Sequence, residues 1–182
     1  GACDCDGTLP EEDFDCEGNC TAEVDECGVC NGDNACLVSS LSFGDFDASG
    51  SVEILYDFSG PVAGFQFDIS GLDLTGASGG AAADNGFTVS TGTNTVIGFS
   101  FTGATIPSGS GVLTLVSFDS VLAGVSDLSL GSGALTGPGG SEYDALVSGS
   151  INHGDPDCDG VYYGSAVEDE CGVCNGNGPE EN

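Results

Sequence analysis

Three strings in this chain set acidic or hydroxyl side chains at alternate positions ahead of a glycine: Asp155-x-Asp157-x-Asp159-Gly160, Asp45-x-Asp47-x-Ser49-Gly50 and Asp13-x-Asp15-x-Glu17-Gly18. Alternate oxygens on a tight loop converge, and the glycine allows the turn that closes it. Hard oxygen ligands at that spacing suit Ca²⁺, which takes roughly six to eight oxygens in flexible geometry. The nine expected metal ligands are therefore Asp155, Asp157, Asp159, Asp45, Asp47, Ser49, Asp13, Asp15 and Glu17, and calcium is the expected cofactor. None of the loops is an EF-hand, because the twelfth position is Ala166, Tyr56 or Val24 and not Glu. Net charge supports bound cations: 30 Asp and Glu stand against no Lys and no Arg, for a formal charge of −30. Self-repulsion of that size opposes compaction, and divalent ions relieve it.

Cysteine is the second chemical residue. Cys27/Cys30 and Cys171/Cys174 form Cys-x-x-Cys pairs that a zinc ion would accept. The wider set, Cys3, Cys5, Cys16, Cys20, Cys27, Cys30, Cys36, Cys158, Cys171 and Cys174, reads instead as an oxidised framework outside the cell. His153 is the one histidine. It is expected as an exposed turn residue, with no Ser-His-Asp motif around it, and no feature favours an enzyme. Asn19-Cys20-Thr21 fits an N-glycosylation acceptor at Asn19, and Ser and Thr offer sites for O-linked glycans.

A chain without a permanent cation cannot neutralise phosphates, so nucleic acid and anionic lipid are excluded as partners. No apolar run reaches the roughly 18 residues of a membrane span, and no signal peptide is expected before Gly1. The missing initiator Met points to a processed product or an excised segment. The expected location is extracellular or at the cell surface.

The chemical residues sit in the two ends. Residues 1–36 hold seven Cys and 11 acids, and residues 153–182 hold three Cys and 8 acids. These flanks are poor in apolar residues, so crosslinks or metal must hold them. The 37–152 stretch between them has no Cys. Its residues alternate at period two between Gly, Ser, Thr and Asp clusters. Val52, Ile54, Tyr56 and Phe58 share a face, as do Ala63, Phe65, Phe67 and Ile69, and then Ile97, Phe99 and Phe101. Phe67 and Phe99 are expected in the core. The 112–118 segment is apolar on both faces, as in a central strand, and further strands are expected at 37–43, 86–91, 126–130 and 144–151. No segment has a helical period. Eight or nine short strands predict an all-β antiparallel sandwich flanked by two acidic Cys-rich connectors.

The strings Val-Glu-Ile-Leu-Tyr-Asp-Phe to Phe-Gln-Phe-Asp-Ile-Ser (52–70), Gly-Ser-Gly-Val-Leu-Thr-Leu-Val-Ser-Phe (109–118) and Gly-Val-Ser-Asp-Leu-Ser-Leu (124–130) resemble the cohesin-like family. The resemblance implies a nine-stranded jelly roll that binds partner proteins or sits in surface scaffolds. The 155–160 string resembles thrombospondin type-3 repeats, in which such acids bind calcium and the cysteines are crosslinked. The string Asp-Glu-Cys-Gly-Val-Cys-Asn-Gly-Asp-Asn (25–34) resembles the Cys-rich boundary of ADAMTS secreted proteases, without their His-Glu-x-x-His zinc motif.

Head and tail repeat one text. Asp-Cys-acid-Gly occurs at 4–7, 15–18 and 157–160, and Cys5, Cys16 and Cys27 follow at intervals of 11. Joining the end of one copy to the start of the next preserves that interval between Cys174 and Cys3. The odd cysteine count at each end also requires a bridge out of each zone. The expected function is a structural subunit or repeat unit of an extracellular fibre or surface array. Its partners are copies of itself joined through the Cys-rich calcium-binding ends, either as a head-to-tail homopolymer or as tandem repeats. The alternative is a monomeric adhesion or carbohydrate-binding module, with Tyr162 and Tyr163 as its aromatic platform. Lacking Lys and Arg, the chain also offers trypsin-type proteases no cleavage site.

Overall fold

Period-two alternation becomes strand pairing in the computed structural model, which describes residues 9, 12–24, 30–31, 38–131 and 133–178. The chain divides into two units, Gly1–Val38 and Ser39–Asn182. The strands of the second are β1 (Ser39–Asp47), β2 (Ser51–Phe58), β3 (Gly64–Ile69), β4 (Leu72–Ser78), β5 (Thr88–Thr91) and β6 (Thr95–Phe99). There follow β7 (Gly109–Val121), β8 (Val125–Ser129), β9 (Leu135–Thr136), β10 (Ala145–Ser148) and β11 (Ser150–Asn152). One sheet runs β10-β1-β2-β7-β4 and the other β11-β8-β3-β6-β5, with β9 also on β3. All pairings are antiparallel except β1 with β10. This is the all-β sandwich that the alternation predicts.

The inner faces supply one core. Val52, Ile54 and Phe58 of β2 and Phe65, Phe67 and Ile69 of β3 are buried, as their alternation requires, and they meet Leu41, Val96, Leu113, Val116 and Leu135. Burying each such side chain contributes about 1.5–3 kcal/mol before conformational entropy is charged against it.

Four local features differ from the sequence expectation. On β6 the inward residues are Val96 and Gly98, so Ile97 is 40% exposed and Phe99 only half-buried. Beyond the strand, Phe101 is 83% exposed. The cause is Gly98: the Phe65 ring occupies the place its side chain would take, so the residue that looks empty faces the core. On β7, an irregularity opposite Ile54 and Leu55 puts Leu113 and Thr114 both inside, after which Val116 and Phe118 alternate inward and Leu115 outward. The strand expected at 144–151 breaks at Gly149, whose φ of 95° needs a glycine. Its halves join different sheets, β10 beside β1 and β11 beside β8. A short helix, α1 (Gly80–Asp84), buries Ala82, a run too brief to show a helical period.

Candidate functional site

Among the described residues, four acidic turns share one geometry. In the C-terminal tail, Asp157 Oδ1 accepts the backbone N–H groups of Asp159 (3.1 Å) and Val161 (2.9 Å), and Oδ2 accepts that of Ala166 (2.9 Å). Twelve residues on, Asp169 Oδ1 accepts from Cys171 (2.8 Å) and Val173 (3.0 Å), and Oδ2 from Gly178 (2.9 Å). The glycine at the fourth position, Gly160 or Gly172, has positive φ and donates its N–H to the aspartate carbonyl. Asp15 does the same in the N-terminal unit, taking the N–H of Glu17 and Asn19 on Oδ1 and the Asn19 side-chain amide on Oδ2. Asp47 makes the simplest version, accepting from Ser49 N–H at 2.8 Å between β1 and β2. Short polar side chains that bond backbone two residues on are the reason Asp opens such turns.

Hydrogen bonds to the ionised form hold these carboxyls below the usual 3.8. For Asp157 the leading cause is the N–H of Ala166, for Asp169 that of Val173, for Asp47 that of Ser49, and for Asp15 the side-chain amide of Asn19. The same approach dictates two further glycines. A Cβ at Gly164 or Gly176 would collide with the carboxylate of Asp157 or Asp169 respectively.

The loops interlock in pairs. Asn175 donates its side-chain amide to Asp159 Oδ2 at 2.7 Å, and a disulfide joins Cys174 to Cys158. In the N-terminal unit Asn31 donates to Asp13 Oδ2 at 2.8 Å, and a disulfide joins Cys30 to Cys20. Val24 with Cys30, and Glu168 with Cys174, form matching backbone bridges. Cys16 is also disulfide-bonded. Cys171, expected among the crosslinked set, keeps an exposed free thiol within this chain. Cys3, Cys5, Cys27 and Cys36 lie outside the described residues.

The expected ligand triads are not drawn together as alternate spacing suggests. Asp157 turns both oxygens to backbone N–H groups, Asp159 turns to Asn175, and Asp155 is exposed. Asp13 serves Asn31 while Asp15 closes its own turn, and Glu17 stays exposed beside it. Asp45 projects from β1 while Asp47 closes the turn to Ser49. Among the described residues, the metal-ligating atoms that gather within 4.8 Å belong to Cys158, Asp159 and Cys174. Two of those are the sulfurs of one disulfide, which leaves a single carboxylate and no ligand set. Asn19 is exposed, but its amide is committed to Asp15 and Cys20 is crosslinked.

His153 overturns its expectation. It is 7% exposed and not a surface turn residue. Nε2 lies 2.8 Å from Ser126 Oγ and Nδ1 lies 2.9 Å from Tyr163 Oη. Its own N–H donates to the Gly124 carbonyl at 2.8 Å. Burial pushes the imidazole pKa down. The sequence carried one signal of this, the Tyr-Tyr pair ten residues downstream, which reads there as a sugar platform.

An antiparallel sandwich carrying disulfide-locked Asx loops is the class that fold and loops define. No protein-family model matches the sequence. No curated protein matches either, so the sequence comparisons returned no thrombospondin or ADAMTS relative. Among solved structures, the chain is similar to a non-cellulosomal cohesin from the hyperthermophilic archaeon Archaeoglobus fulgidus. That similarity is at 16% identity and a TM-score of 0.43, over 60% of this chain and 85% of the other.

Proposed function

We propose that the protein is a structural module of an extracellular fibre or surface array, joined to further copies through its Cys-rich ends. The observation that carries this reading is the Asp-x-x-Gly loop itself. It recurs in both units with the same two backbone hydrogen bonds to Oδ1. In the C-terminal tail a disulfide clips the later loop onto the earlier one, and in the N-terminal unit one joins Cys30 to Cys20 beside the Asp15 loop. Such loops have a use as connectors: they build a rigid segment from a few residues without a hydrophobic core. The exposed Cys171 thiol supplies a covalent joint that the tail does not use internally. The disulfides, and the absence of a helix long and apolar enough to cross a membrane among the described residues, are compatible with an extracellular place. Calcium enters the reading as a counterion for a charge of −30.

The second reading is a monomeric adhesion module. Its support is the outward stripe of Ile97, Phe99 and Phe101, since apolar patches on a polar sheet face mark contact sites. The Tyr162/Tyr163 platform does not support it, because the Tyr163 hydroxyl is engaged by His153. Electron microscopy of the purified protein under oxidising conditions with calcium separates the two. Ordered filaments or sheets are expected, and dispersed particles of about 18 kDa at every concentration would overturn the first reading.

A further inference from the structure

Among the described residues, four stand in the left-handed region without being glycine: Asp13, Asn31, Tyr163 and Asn175. Three of them occupy one loop position, the sixth residue after the aspartate that opens an Asp-x-x-Gly string. Asn31 follows Asp25, Asn175 follows Asp169, and Tyr163 follows Asp157. Asn is at ease there, with φ of 51° and 55°, because its short amide bonds locally. A tyrosine is not, yet Tyr163 has φ of 58°. Bulky residues hold such conformations only when their surroundings over-determine them.

The surroundings do so from one side, the residue as a whole being 52% exposed. The Tyr163 hydroxyl meets His153 Nδ1 at 2.9 Å, and its ring lies 5.9 Å from Phe46 and 5.7 Å from the imidazole. Phe46 in turn stacks on Phe118 at 5.4 Å and lies 5.0 Å from His153. The other imidazole nitrogen is on Ser126. One cluster thus gathers β1 and β7 from one sheet, β8 and the end of β11 from the other, and the first tail loop. A neutral imidazole donates on one nitrogen and accepts on the other, and both hydroxyl partners can play either part. The cluster is therefore fully satisfied.

We infer that Tyr163 is a clasp residue, held in a strained backbone conformation because its ring and hydroxyl fasten the C-terminal loops to the end of the sandwich. The tail is then a rigid extension of the sandwich and not a hinged tether. The second loop inherits that rigidity through the Cys158–Cys174 disulfide and the Asn175–Asp159 bond. The inference does not rest on the proposed assembly and is tested on single molecules.

The discriminating variant is Tyr163→Asn, which installs the residue the sister loops use. It eases the backbone while removing the clasp. Amide exchange and ¹⁵N relaxation by NMR on the whole chain read both effects. The N–H of His153, bonded to Gly124, is expected to exchange about tenfold faster or more, and the tail is expected to gain motion independent of the sandwich. The N–H groups of Val161 and Ala166, held by Asp157, are expected to stay protected. Unchanged protection at His153 with a tail that still tumbles with the sandwich would overturn the clasp. So would loss of protection at Val161 and Ala166, because Tyr163 would then serve only its own loop. Should Tyr163→Asn fail to fold, Tyr163→Phe keeps the ring and removes the hydroxyl. Faster exchange at His153 is expected there too, and no change at that amide would overturn the inference.

Discussion

A carboxylate that accepts three backbone N–H groups has two possible employers, the loop and an ion, and substitutions can tell them apart. Asp157 and Asp169 close their loops by hydrogen bonds alone, so Asp157→Ala is expected to lower Tm by several degrees with calcium present or chelated. Asp155 is exposed and calcium enters only as a counterion shared among many acids, so Asp155→Asn is expected to leave Tm in chelator unchanged and to leave most of the stabilisation by added calcium in place. For one bound ion at about a hundredfold above its Kd, that stabilisation is about 2.7 kcal/mol. Calorimetric melting of both variants in calcium and in chelator checks the pair, and a wild-type Tm indifferent to calcium removes calcium from the proposed function. Acid gives a separate readout. The folded-state pKa values of Asp157 and Asp169 lie below the usual 3.8, held there by backbone N–H groups. Their contribution is therefore complete above that value and is lost as pH falls through the lowered ones. Protection of the Val161 and Val173 amides, relative to their intrinsic exchange rates, is expected to fall below pH 3.8 before the core strands open.

Strand pattern was legible where every inward position carried a side chain. β2 and β3 alternate Val, Ile and Phe without a gap, and their inner faces follow directly. β6 inverts the logic, because Gly98 faces the core beneath the Phe65 ring and leaves Ile97 and Phe99 outside. No alternation rule sees a core position filled from another strand. Gly149 hides a change of sheet in the same way, since both halves of the segment read as one strand. Truncation measures the difference. Phe67→Ala is expected to cost about 3–5 kcal/mol because the side chain is fully buried. Phe99→Ala is expected to cost less than about 1 kcal/mol, as changes away from the core do. Gly98→Ala should instead destabilise by about 1–3 kcal/mol, since its methyl group displaces the Phe65 ring. Equal losses at Phe67 and Phe99 in urea melts would mean that β6 presents its other face. The acidic loops were legible as turns for a different reason: Asp and Gly mark them by chemistry. What each carboxylate faces was not, because the N–H groups it serves come from up to nine residues downstream.

At the scale of the molecule the decisive quantities are charge and cysteine parity. Two chains of formal charge −30 repel, so association between copies needs either cations or a covalent joint. Within the C-terminal tail, Cys158 and Cys174 consume each other and Cys171 remains. The seven cysteines of residues 1–36 are odd in number, so at least one of them also needs a partner outside that segment. Pairing Cys171 with such a thiol on another copy removes two protons and two electrons, which oxidised glutathione takes up as it becomes two reduced molecules. A head-to-tail bond of this kind is heterologous and propagates unless rotation closes a ring. In that buffer at raised ionic strength, wild-type protein is expected to run on a non-reducing denaturing gel as a ladder. Reduction should collapse it to one band at the 17.9 kDa monomer. Cys171→Ser is expected to abolish the ladder while leaving the Cys158–Cys174 bridge intact, which peptide mapping after cleavage at acidic residues can verify. A ladder that survives the substitution would move the joint to the N-terminal unit. A monomer band from wild-type protein without reductant would exclude covalent joining and leave cation-mediated association as the route to an array. The salt dependence of the ladder completes the argument. Screening shortens the reach of repulsion to about 3 Å at 1 M salt, so crosslinking should proceed faster there than at 0.01 M, where that reach is about 30 Å.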